Sequence, residues 1–114
     1  MSDLAPVEDV GVVRPSMSEL AERITAVLRE HFGDHREAER QVLALGEEVG
    51  EFLGAYRRWA GLARRTGPWS DVCAELADVA ITAYVVAAHL GIDLDAAIEA
   101  KTAVIFARPW KDPR

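Results

Sequence analysis

The stretch "ELADVAITAYVVAAHLG", residues 75–91, decides the fold. From Leu76 to Ala88 it is apolar nearly all the way round a helix, and such a helix needs protein on most of its sides. It shows no strand alternation, and Gly91 is a natural stop, so a helix from about Ser70 to Leu90 is predicted. Its few polar groups, Asp71, Glu75, Asp78, Thr82 and His89, fall within one narrow stripe. Glu75 and Asp78 lie three apart and are neighbours on the helix surface. Two ionised carboxylates beside a buried surface repel each other and lose hydration, which is costly unless a cation sits there.

Upstream, "LGEEVGEFLG", residues 45–54, crowds more acids onto two helical turns. Successive residues turn by about 100° around a helix axis. Val42, Leu45, Val49, Phe52, Leu53 and Tyr56 therefore gather on one side, and Glu47, Glu48 and Glu51 on a separate arc with Glu48 nearest the apolar edge. Taken alone, that is an amphipathic helix with a wet acidic face. Read with the downstream pair, it gives two helical turns that each present two carboxylates: Glu48 with Glu51, and Glu75 with Asp78. Antiparallel packing brings such turns face to face. Hard cations such as Mg²⁺ and Mn²⁺ take oxygen ligands of this kind. A charge of about −4 suits two or three metals carrying a polyphosphate better than a single ion. Salt bridges to neighbouring basic residues are the plain alternative. A di-iron bundle would want Glu-x-x-His on two helices, and Asp78 stands where that histidine would be.

The rest of the chain supports a small helical domain. Ser16, three residues before Glu19, is a capping-box signal, and Leu20, Ile24, Val27 and Leu28 follow as one stripe. Gly33 ends that helix; Asp34, with Glu37 three residues on, is expected to start the next, running to about Ala60. "GLARRTGPWS" is a basic loop bounded by glycine. Asp93 is expected to cap a last helix that Pro109 terminates. Residues 1–15 read as a flexible arm, 16–110 as one domain and 111–114 as a tail. The expected fold is all-α, a four-helix bundle.

Over 114 residues, half are hydrophobic and the formal net charge is −6. A folded domain follows, and nucleic-acid polymers and anionic membranes are disfavoured as partners. Cys73 is the one cysteine; it excludes an intrachain disulfide and is expected to be a small core side chain. The acidic N-terminus lacks a signal-peptide pattern, and the longest uninterrupted apolar run is shorter than a bilayer span. A soluble, cytoplasmic protein is expected.

A phosphate ligand needs cations. Arg58 falls on the arc of Glu47 and Glu51; Arg64 and Arg65 lie in the basic loop; Lys101 and Arg108 share a face of the last helix. Trp59 and Trp69 flank the loop, where either can stack a base or pack the loop down. His31 and His35 are separated by a helix break and are expected at the surface.

With these residues placed, the chain resembles the MazG-type all-α nucleoside triphosphate pyrophosphohydrolases, marked by EExxE on one helix and ExxD on a following one. Here these are "EEVGE", Glu47–Glu51, and "ELAD", Glu75–Asp78. The likeness continues through "LGIDLDAAIEAK" into Arg108 and covers roughly residues 40–108. It implies Mg²⁺-dependent (Mn²⁺ being an alternative) cleavage of a nucleoside triphosphate to the monophosphate and pyrophosphate, in nucleotide-pool house-cleaning. It implies Glu48, Glu51, Glu75 and Asp78 as metal ligands, Glu47 as the acid that orients water, and Lys101 and Arg108 toward substrate, where Arg58 is expected from its place on the acidic arc. Ile105 occupies the asparagine of the family's K-x-x-x-N-x-x-R pattern, so a nucleotide contact made there in relatives is missing. A phosphoribosyl-ATP pyrophosphohydrolase or a non-catalytic helical interaction module are the alternatives. An apolar central helix and the resemblance both imply a homodimer or homotetramer.

Overall fold

The computed structural model describes residues 13–109. Its elements are four helices: α1 (Met17–Phe32), α2 (Glu37–Trp59), α3 (Trp69–Leu90) and α4 (Leu94–Ala107). No strand occurs among the described residues, so the class is all-α. Most of the expected arm (residues 1–12) and the whole expected tail lie outside the described residues.

Local chemistry sets most boundaries. Ser16 closes the capping box on α1: its hydroxyl accepts from the Glu19 amide at 3.1 Å, and the Glu19 carboxylate accepts from the Ser16 amide at 2.7 Å. Asp93 caps α4 through the Ala96 amide at 3.1 Å. Gly91 ends α3 with φ of 70°, a left-handed conformation that glycine adopts without a Cβ penalty. The start of α2 departs from expectation. Asp34 caps nothing, because its carboxylate is taken by Arg29 at 2.8 Å. The helix begins three residues later, after Arg36 in the left-handed region at φ 55°. There the Arg36 guanidinium grips Glu39 through two hydrogen bonds of 3.0 and 3.1 Å.

The packing centres on α3. It lies most extensively against α2 and secondarily against α1, while α4 touches the other helices only slightly. Buried positions are mostly small: Ala21 and Thr25 of α1, Ala55 of α2, and Val72, Val85 and Ala87 of α3. Small side chains let the helix backbones approach closely, but they bury little area. A single chain consequently fails to surround α3 as the sequence leads one to expect. Leu76 and Leu90 remain about half exposed, and Cys73, expected in the core, is exposed. At 22 residues α3 is also long and apolar enough, by length and composition alone, to cross a bilayer. The run counted from Val79 to Ala88 is shorter because it stops short of Asp78 and His89, which the helix carries through.

Candidate metal centre

The two acidic turns meet where α2 crosses α3. Carboxylate oxygens of Glu48, Glu51 and Glu75 all lie within 4.8 Å of one another. Glu48 and Glu75 are half-buried and Glu51 is exposed, which makes a site closed on the bundle side and open to solvent on the other. Asp78 is not within that trio, yet its charge acts on both Glu48 and Glu75. Glu47 lies next to Glu48, on whose carboxyl its charge acts, and it also lines a groove between α1 and α2, described below.

The electrostatics are those of acids lacking a counterion. Burial, then the charges of Glu51, Asp78, Glu75 and Glu47, hold the Glu48 carboxyl above the usual glutamate range. Burial, then Glu51 and Asp78, a hydrogen bond with Glu51, and Asp71 do the same for Glu75. The Oε2 atoms of both residues are buried without a hydrogen-bond partner. Among the described residues the ion pairs are Arg29–Asp34, Arg36–Glu39 and Arg40–Glu37, so none neutralises the cluster. The plain salt-bridge alternative therefore finds no basic partner among the described residues. Buried carboxylate oxygens that neither donate nor accept are unfavourable unless protonated or bound to a cation. A donor set made only of carboxylate oxygens, open on one side, fits a hard divalent ion.

Arg58 occupies the α2 arc of Glu47 and Glu51, as the periodicity requires, and is half-buried. Its seat is made by two glycines. A Cβ at Gly67 would come within 3.2 Å of the Arg58 Cβ, and one at Gly54 within 3.4 Å of an Arg58 guanidinium nitrogen. Gly67 thus lets the loop fold back over the arginine. Trp59 and Trp69 close the ends of that loop on each other, with ring centroids 4.7 Å apart and planes tilted by 60°, and Tyr56 joins Trp59 at 5.8 Å. The indoles are partners first, and both stay about half exposed. Lys101 is exposed on α4, whereas Arg108, expected on the same helix face, is the exposed residue that ends α4 in extended backbone at φ -69° and ψ 141°; neither pairs with an acid among the described residues. His31 and His35 are exposed, as expected.

Two features were not legible in the motifs. Asp95 accepts from Tyr84 at 2.7 Å and from Ser18 at 2.8 Å, tying the starts of α1 and α4 to α3. The hydroxyls and the acid are far apart in sequence, and no spacing announces them. The second is a groove of about 670 Å³ whose lining includes Leu28, Phe32, Arg40, Leu43, Ala44 and Glu47. It exists because α1 and α2 both lean on α3 while scarcely touching each other. No family model, curated protein or solved structure matches this chain.

Proposed function

We propose that the chain is a Mg²⁺-dependent nucleoside triphosphate pyrophosphohydrolase of the MazG type, releasing pyrophosphate and a nucleoside monophosphate. The observation that carries this reading is the convergence of Glu48, Glu51 and Glu75 from two helices, with two buried carboxylate oxygens unpartnered and no basic residue paired to them among the described residues. Together with Asp78 these acids are the ligands for Mg²⁺ or Mn²⁺. When bound, the metal supplies Lewis acidity toward the phosphates and makes a bound water more acidic.

The chain's own residues do the remaining work. Glu47, exposed beside the cluster, accepts a proton from the attacking water and orients it toward phosphorus. Arg58, held by Gly54 and Gly67, places a guanidinium on the same helical arc to receive phosphate oxygens. Lys101 and Arg108 provide further positive charge for the triphosphate. The acidic chain is a poor ligand for phosphate polymers, so a small nucleotide is the substrate. The protein works in the cytoplasm, where Mg²⁺ and nucleoside triphosphates meet.

The test is pyrophosphate release from a panel of canonical and modified nucleoside triphosphates and phosphoribosyl-ATP, with Mg²⁺ and with Mn²⁺. Release that requires the metal is expected. No release from any member, together with no Mn²⁺ binding by the purified chain, would leave the acids as a surface feature of a helical interaction module.

A further inference from the structure

The groove between α1 and α2 has apolar walls and a polar set that the acidic cluster does not use. Its walls are Leu28 and Phe32 of α1 and Leu43 and Ala44 of α2, and its volume of about 670 Å³ is that of a small-molecule site. Phe32 and Leu43 are 68% and 72% exposed, so an aromatic ring and an aliphatic side chain stand open to a flat ligand.

Glu37 also lines the groove and is 4% exposed, buried more deeply than Glu48, Glu51 or Glu75. Gln41, one turn on, donates through Nε2 to Glu37 Oε2 at 3.1 Å. Only the amide nitrogen can donate, so this bond fixes which way round the Gln41 amide stands. It leaves Gln41 one carbonyl oxygen and one N–H for a ligand. Arg40, the cationic group of the lining, is engaged elsewhere: its Nη1 donates to the His35 carbonyl and lies 3.5 Å from Glu37 Oε1. Beside Gln41 the lining therefore offers the carboxylates of Glu37 and Glu47, which accept and do not donate when ionised.

The order along α2 matches the order of parts in a nucleotide. Gln41, Glu48, Glu51 and Arg58 fall within about 100° of the helix circumference, Gln41 about 10 Å before Glu48 and Arg58 about 10 Å beyond Glu51. A nucleotide laid along this face has its phosphates between the acids and Arg58, and its base beside Gln41.

We infer that Gln41, held in place by Glu37, selects nucleobases that carry an exocyclic amino group over their keto counterparts. One amino hydrogen goes to the Gln41 carbonyl oxygen and the other to Glu37, while the ring nitrogen next to the amino group accepts the remaining Gln41 N–H. A keto oxygen in that place faces a carboxylate, so it loses a bond and is also repelled. Phe32 stacks on the ring. Glu37 is a positioning residue that acts through Gln41. This deepens the pyrophosphohydrolase reading and rests on it for the phosphate end of the ligand, though not for the choice of base.

Two matched pairs test the choice, CTP with UTP and ATP with ITP, each differing by amino against keto at one ring position. In each pair that is turned over, kcat/KM for pyrophosphate release with Mg²⁺ should favour the amino member by at least about tenfold. Gln41→Leu should bring that ratio toward one, chiefly by raising KM for the amino member; Gln41→Met is the second variant should Gln41→Leu fail to fold. Glu37→Ala should do the same, and Glu37→Gln should keep much of the preference, because its amide oxygen still accepts from Gln41. A wild-type ratio within about twofold, a keto preference, or a ratio indifferent to Gln41 would overturn the inference. Calorimetric binding of the α,β-imido analogues of CTP and UTP, which resist cleavage at that bond, should give the same ranking. A chain that ranks these analogues but releases no pyrophosphate sinks the catalytic reading and keeps the selection by Gln41. A chain that releases pyrophosphate without ranking them keeps the catalytic reading and sinks the selection.

Discussion

Glu48 on α2 and Glu75 on α3 hold carboxylate oxygens within 4.8 Å of each other, and each buries an Oε2 that no group among the described residues satisfies. Two such acids are kept together at a cost to the fold, which is why a bound cation is expected to act on them first. Glu51→Gln and Asp78→Asn should each lower metal-dependent turnover by at least about two orders of magnitude, as loss of a metal-site group commonly does. Mn²⁺ affinity, read by calorimetry or by the ion's relaxation of water, should fall in parallel. Wild-type turnover in both variants would end the catalytic assignment.

The same pair fixes a pH dependence for the metal-free protein. Burial and neighbouring charges raise both carboxyls above the glutamate value of 4.5, so the folded state binds their protons more tightly than the unfolded state does. Stability then falls as pH rises from that ordinary value through the raised folded value, and is level above it. Thermal melts in chelator should show the wild type losing Tm across this window, while Glu48→Gln and Glu75→Gln lose less and melt higher at neutral pH. Saturating Mg²⁺ should reverse the ranking. Glutamine variants that melt many degrees lower in chelator would show the acids to be structural.

How much of this was readable beforehand follows from which signals are local. The Ser16 capping box, the Asp93 cap and the Gly91 stop are set by residues a few positions apart, and each appears where the sequence places it. The Glu48–Glu51–Glu75 convergence was legible too, because helical spacing puts each pair on one turn, though Asp78, expected with them, stays outside the trio. Asp34 failed as a cap because Arg29, in the preceding helix, competes for its carboxylate. Cys73 failed as a core residue because apolar neighbours in sequence do not fix which side of α3 is covered, and it stands on an exposed side. The Tyr84–Asp95–Ser18 contacts join residues from three helices, and their polar side chains carry no periodic signal.

Gly67 offers a test of the basic loop. A Cβ there meets the Arg58 Cβ at 3.2 Å, and that atom sits on the helix rather than at the free end of a side chain. Gly67→Ala should therefore push the loop off Arg58. We expect KM for a triphosphate to rise several-fold with a smaller change in kcat, and Tm to shift little, since the loop buries little apolar area. Amide exchange over residues 61–69 should slow on addition of nucleotide with Mg²⁺ in the wild type and less so in the variant. Equal protection in both, with KM unchanged, would remove the loop from substrate binding.

Asp95 gives a spectroscopic reading of how α4 is tethered. Its hydrogen bonds from Tyr84 and Ser18 hold the carboxyl below the usual aspartate range, and the same bond, then burial and the Asp95 charge, raise the Tyr84 phenol above 10.0. Because the Asp95 value is depressed, its contribution to stability is present above the ordinary aspartate range and lost as pH falls through the folded value. The site is exposed, so the effect is modest and screened by salt. Asp95→Ala should lower Tm by a few degrees at neutral pH, with the gap to wild type closing in acid. With Tyr56 replaced by phenylalanine, absorbance titration reports Tyr84 alone; its midpoint should drop toward the ordinary phenol value in Asp95→Ala. A Tyr84 midpoint indifferent to Asp95 would mean that the 2.7 Å contact does not persist in solution.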